Sequence, residues 1–184
     1  MIQDEGYGRA SNPQEAVNSM EENSSENLDL AFDEDLVIID IDLQTREEVI
    51  KLLSEKFIQK GYVTDKFTEA VLDRERKFPT GLPTVVPIAL PHTDAIYCKK
   101  SAIAVGILKT PISFKEMGNP DKSLLVKIVF LLALPNPDLQ TKWLQRLVEV
   151  FKDGEILKKL AGMRTKQEIF EFLNKALFKS KEVS

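Results

Sequence analysis

Residues 124–134 read Leu-Leu-Val-Lys-Ile-Val-Phe-Leu-Leu-Ala-Leu, apolar at every position except Lys127. A short continuous run rich in Val and Ile, ended here by Pro135, reads as a strand buried on both faces. A similar run, Ala102–Leu108, lies upstream, and the turn segment Glu116-Met117-Gly118-Asn119-Pro120-Asp121 separates the two. A strand covered on both faces needs helices above and below it, and the flanking sequence supplies them.

Upstream, Leu36-Val37-Ile38-Ile39-Asp40-Ile41 is a β-branched run of strand length. Thr45 and Glu48 then form a capping box, Val49, Leu52, Leu53 and Phe57 recur at helical spacing, and Gly61 supplies a left-handed stop. A second helix is expected from Thr64 to about Lys77, before Pro79, with Phe67, Ala70, Val71 and then Arg74 along its inner stripe. From Pro79 to Pro91, prolines and a glycine suit a rigid loop framing an edge strand. Downstream, Asn136-Pro137 opens a helix carrying Leu139, Trp143, Leu147 and Phe151 on one face. Asp153 caps a short helix ended by Gly162, and Thr165 with Glu168 caps the last one. This order predicts an α/β fold: a single domain with a mixed β-sheet flanked by helices, three layers α/β/α, over residues 34–179.

The chain has 184 residues and a net charge of −4. Residues 1–35 hold ten acids against Arg9, a balance of −9, so the remainder sums to +5. Residues 1–33 lack an apolar period and are expected to form a disordered acidic leader. Within it, Leu28, Leu30 and Phe32 alternate just before the fold and are placed to pack on it. Residues 180–184 are a tail. A sequence pI near 5.2 argues against a nucleic-acid binder. The single cysteine, Cys98, and single histidine, His92, exclude an internal disulfide and a Cys/His zinc site. No span reaches membrane length and no secretion signal opens the chain, so a cytoplasmic protein with no cofactor and no metal is expected.

Glycine-rich phosphate loops, nucleophile elbows and HExxH helices are missing. His92 stands out, directly after Pro91 at the end of a short strand and followed by Thr93-Asp94. A neutral imidazole has a free lone pair and can act as a nucleophile. The alternative is a loop histidine satisfied by backbone contacts. Arg74, a cation on an apolar stripe, calls for an anion, and its planar fork suits phosphate. It could instead pair locally with Asp73 or Glu75, or snorkel outward. Cys98, near Lys99 and Lys100, reads as an ordinary thiol.

The stretch Asp73-Arg74-Glu75-Arg76-Lys77-Phe78-Pro79-Thr80-Gly81-Leu82-Pro83-Thr84, followed by Ile88-Ala89-Leu90-Pro91-His92-Thr93-Asp94, resembles the fructose/mannitol-type enzyme IIA component of the bacterial sugar phosphotransferase system. The GLPT and MGNP forms are most similar to its galactitol-specific branch. The resemblance implies a phosphotransferase subunit working by a phosphohistidine relay. His92 accepts a phosphoryl group from the histidine-containing phosphocarrier protein and passes it to a cysteine of a IIB component. Arg74 helps hold the transferring group. The uptake supported is that of a polyol through a membrane IIC component, with no insertion of this chain into the bilayer. The alternative is a regulatory module in which His92 phosphorylation reports sugar status to a partner. Where many members carry a second histidine, this chain has Gln140 at the matching position. An amide can donate to a phosphoryl oxygen but cannot carry charge. Gln140 reads equally as a surface helix residue.

Overall fold

The computed structural model describes residues 29–178; the expected leader up to Leu28 and the 180–184 tail lie outside them. Along the chain run β1 (Val37–Ile41), α1 (Arg46–Gln59), α2 (Phe67–Lys77), β2 (Gly81–Leu82) and β3 (Ile88–Ala89). Then come β4 (Ala102–Glu116), β5 (Asn119–Ala133), α3 (Pro137–Phe151), α4 (Gly154–Gly162) and α5 (Lys166–Phe178). Short 3-10 turns occupy Glu34–Leu36 and Ala95–Tyr97.

The sheet is mixed. β4 and β5 form a long antiparallel hairpin, β1 lies parallel to β4, β3 parallel to β5, and β2 antiparallel to β3. The hairpin keeps its register from Ala102↔Ala133 to Ile107↔Ile128 and then shifts, resuming at Ile112↔Val126. Lys127 explains itself there. Its ammonium donates to the carbonyls of Leu108 and Lys109, within the irregular stretch of β4. The expected turn at 116–121 is tighter than its composition suggested: Met117 and Gly118 alone form the loop, with Gly118 at φ 79. The far end of β4 meets β2 at Gly81, where a Cβ would lie 2.5 Å from the Lys115 carbonyl oxygen.

Alternation along β4 sends Ala102 and Ala104 to one face, and Ile103 and Val105 to the other. On the first face α1 and α2 bring Val49, Leu53, Phe57, Phe67 and Val71. On the second, α3, α4 and α5 bring Trp143, Leu147, Phe151, Leu157, Leu160, Ile169 and Leu173. The expected three-layer α/β/α arrangement is therefore the observed one. The expected caps form too. Thr45 and Glu48 exchange capping-box bonds, Asn136 accepts from Asp138 and Leu139, and Asp153 accepts from Glu155.

Three boundaries differ from the sequence reading. α2 begins at Phe67, because residues 64–66 make a turn closed by the Phe67 N–H on the Thr64 carbonyl. β3 is an interior strand, between β5 and β2. Its prolines are tolerated because it is two residues long and they work as acceptors: Pro87 takes the Lys127 N–H and Pro91 the Leu132 N–H. So short a strand is held mainly by burial. Ile88 and Leu90 are fully buried, worth about 1.5–3 kcal/mol each, against roughly 1 kcal/mol net for each hydrogen bond. Finally, the packed domain includes residues 30–33. Leu30 is buried, Ala31 bridges to Ala102, Phe32 meets Phe170 and Asp33 pairs with Lys60.

Candidate functional site

β3 delivers the chain into Leu90-Pro91-His92, which is hydrogen-bonded on both sides. The Leu90 N–H donates to the Thr80 carbonyl at 3.4 Å, and the Pro91 carbonyl accepts from Leu132 on β5 at 3.0 Å. The His92 ring is folded back on this backbone: Nδ1 lies 2.8 Å from the Leu90 carbonyl oxygen. A carbonyl can only accept, so Nδ1 carries the proton and Nε2 the lone pair. His92 is 8% exposed. Burial lowers its pKa below the usual histidine value, and the Arg74 charge pushes the same way, while the Leu90 bond and Asp94 oppose them. At neutral pH the ring is a neutral imidazole with its nucleophilic nitrogen unbonded to backbone.

The three candidate residues meet at one loop. Arg74, on α2, places Nη1 3.0 Å from Asp94 Oδ1, two residues beyond His92. Gln140, in the first turns of α3, donates its Nε2 to the Thr93 carbonyl at 2.8 Å. Asn136 fixes that helix start by capping it, so the cap places Gln140 against the loop. One amide proton of Gln140 is thus committed to backbone one residue from His92. Neither local carboxylate takes Arg74: Asp73 pairs with Arg76, and Glu75 is bonded to Thr80. Arg74 stacks over Phe78 at 5.6 Å, and its Nε is buried without a hydrogen-bond partner.

Arg74 is half-buried, and the charge on the inner stripe of α2 is Glu75. The stripe runs Phe67, Val71, Glu75, a strict four-residue step that passes Arg74 by. In the sequence Glu75 reads only as a neighbour for Arg74. The step from Val71 and the threonine five residues on were the available signals. Burial raises the Glu75 carboxyl to about 7, against the Thr80 hydrogen bonds that lower it. Cys98 behaves as the ordinary thiol expected, its pKa pushed up to about 11 by burial. Two large apolar side chains flank the loop in the open: Phe78, 64% exposed, and Ile96, 79% exposed.

Among the described residues no group of three or more His, Cys, Asp or Glu side chains could hold a metal ion. Among them, too, no helix is long and apolar enough to cross a membrane.

Residues 30–176 match the family described as the phosphoenolpyruvate-dependent sugar phosphotransferase system, EIIA 2. The chain belongs to that family. This EIIA domain is 30% identical over 138 residues to the galactitol-specific EIIA component of Escherichia coli K12, spanning 74% of this chain and 91% of the relative. Its fold is similar to the crystal structure of IIA mannitol from Escherichia coli, with a TM-score of 0.66 at 22% identity over 78% of this chain and 99% of that one. It is also similar to a chain in the Escherichia coli complex of enzyme IIAMTL with phosphorylated enzyme IIBMTL (TM-score 0.64, 22% identity, 78% and 97% covered). The EIIA domain is thus a component of a sugar phosphotransferase system.

Proposed function

We propose that this EIIA domain carries a phosphoryl group on Nε2 of His92, taking it from the histidine-containing phosphocarrier protein and giving it to a cysteine of a IIB component. The observation that carries the reading is the ring itself. Nδ1 is committed to the Leu90 carbonyl, and burial keeps the imidazole neutral, so Nε2 presents its lone pair.

In the first step that pair attacks the donor's phosphorus, the N–P bond of the donor histidine breaks, and its electrons return to the donor ring. Nδ1 keeps its proton, so the phosphorylated ring carries positive charge facing the Leu90 carbonyl. In the second step the IIB thiolate attacks phosphorus, an S–P bond forms, and the pair returns to Nε2. Transition states of this kind need positioned donors more than covalent chemistry. Arg74 supplies a guanidinium fork, steadied by Asp94 and Phe78, and shares its charge with the incoming group. Gln140 holds the Thr93 carbonyl and has a second amide proton for a phosphoryl oxygen.

A partner's side chain reaches a ring that is 8% exposed only by close docking. Phe78 and Ile96 give both partners an apolar footing, and an interface at the low end of about 1,200 Å² suits a face that must release one partner before meeting the next. The similarity to a galactitol-specific component supports a polyol of that kind as the transported substrate, delivered through a IIC component. The test is incubation with phosphoenolpyruvate, enzyme I and the phosphocarrier, followed by intact mass. One phosphoryl group on the wild type and none on His92→Ala is expected. A phosphorylated His92→Ala protein overturns the assignment, and a phosphoprotein that no IIB accepts favours the regulatory alternative.

A further inference from the structure

Glu75 is 3% exposed, and the relay just described gives it no part. Both its carboxylate oxygens are nevertheless engaged. Oε1 accepts the Thr80 backbone N–H at 3.0 Å, and Oε2 accepts the Thr80 hydroxyl at 2.8 Å. The Thr80 carbonyl in turn accepts the Leu90 N–H at 3.4 Å, and the Leu90 carbonyl accepts Nδ1–H of His92 at 2.8 Å. An unbroken series of hydrogen bonds therefore runs from α2 to the histidine ring.

We propose that Glu75 is a positioning residue, which fixes the tautomer and ring plane of His92 through Thr80 and Leu90 without touching the phosphoryl group. Strand pairing at Gly81 and the burial of Ile88 and Leu90 hold the neighbouring residues, but the Thr80 N–H and hydroxyl are held by Glu75. α2 ends before Phe78 and β2 is two residues long, so Thr80 lies outside regular structure, between a helix end and a short strand. An apolar side chain of similar volume would avoid burying a carboxyl but would leave both Thr80 donors unpaired. The effect is geometric: the charges acting on His92 are those of Arg74 and Asp94. The inference rests on the reading of His92 as the acceptor, but the ring state it predicts is measurable without any transfer.

His92 is the single histidine of the chain, so its imidazole 15N signals are assigned without ambiguity. Three variants decide the matter. Glu75→Gln keeps an oxygen for the Thr80 N–H and offers an amide proton to the Thr80 hydroxyl. Glu75→Ala removes both bonds. Thr80→Val removes the hydroxyl bond alone in a side chain of the same shape. Expected is the Nδ1–H tautomer in the wild type and in Glu75→Gln, with transfer from the phosphocarrier within about threefold. Glu75→Ala should populate the Nε2–H tautomer and slow transfer by on the order of tenfold to a hundredfold. Thr80→Val should fall between them. A folded Glu75→Ala with the wild-type tautomer overturns the proposal, as does Glu75→Gln behaving like Glu75→Ala, which would make charge the agent. If Glu75→Ala fails to fold, unchanged Thr80→Val spectra overturn it instead. Absence of transfer in the wild type would sink the relay, yet the tautomer comparison would still decide the role of Glu75.

Discussion

Replacing Glu75 with glutamine should raise stability at alkaline pH and leave it nearly unchanged in acid. In the folded protein the carboxyl titrates at about 7 rather than 4.5, because burial disfavours its charged form. Below 4.5 it is protonated in both folded and unfolded chains and contributes no pH dependence. As pH rises past that point the unfolded chain releases its proton first, so stability falls until the folded group has titrated as well. A move from 4.5 to about 7 corresponds to roughly 3 kcal/mol lost across that window. Glutamine cannot ionise and loses nothing. At a gain of roughly 2–4 °C per kcal/mol for a domain of this size, the variant should melt about 6–12 °C above the wild type near pH 8. Urea unfolding followed by the fluorescence of Trp143, the chain's single tryptophan and fully buried, reads the difference at a series of pH values. Glu48 and Glu168, held below the usual carboxylate range by their capping bonds, titrate alike in both proteins and cancel. His92, lowered mainly by burial, cancels in the same way. Parallel stability curves for the two proteins would refute the reasoning.

Arg74→Lys should slow phosphoryl transfer by on the order of 100-fold, while its part-exposed ion pair with Asp94 limits the stability cost to about 1 kcal/mol or less. Rapid-quench kinetics and thermal melts separate the two effects, and unchanged transfer would return Arg74 to a structural role. A chain starting at Glu34 forfeits the burial of Leu30, the Phe32–Phe170 contact and the Asp33–Lys60 pair. It should be about 2–4 kcal/mol less stable than one starting at Asp29, and equal melting temperatures would show those contacts to be idle. Phe78→Ser with Ile96→Ser should raise the KM for the phosphocarrier by roughly tenfold or more with little change in melting temperature, as expected for exposed anchors of a docking face. An unchanged KM would place the footing elsewhere.

What the sequence revealed was whatever is decided locally. Capping at Thr45, Asn136 and Asp153 and the continuous apolar run at Leu124–Leu134 depend on neighbours in the chain, and each appears where its pattern put it. His92 stood out for the same reason, a lone histidine after Pro91. Pairings across the chain were not legible. Arg74 finds Asp94 twenty residues away, and Gln140 reaches the Thr93 carbonyl forty-seven residues back. Composition alone suggested a local partner or a free surface amide. β3 looked like an edge strand because proline cannot donate to a ladder, a rule that loses force when the strand is two residues long. The alternation of Leu30 and Phe32 was legible in the acidic segment, and both side chains pack as it suggests; what the sequence does not show is their contacts, since Phe32 meets Phe170 across the whole chain. Glu75 is hard to read because a charge on a buried stripe looks like an exception to the period rather than its continuation.

The measurement that bears most directly on the account is assignment of the phosphorylated nitrogen. After phosphorylation of 15N-labelled protein by the phosphocarrier, phosphorus coupling should appear at Nε2 of His92, with Nδ1 still protonated against the Leu90 carbonyl. Coupling at Nδ1 would mean that the Leu90 bond breaks before transfer, and the geometry on which the proposed relay rests would be contradicted.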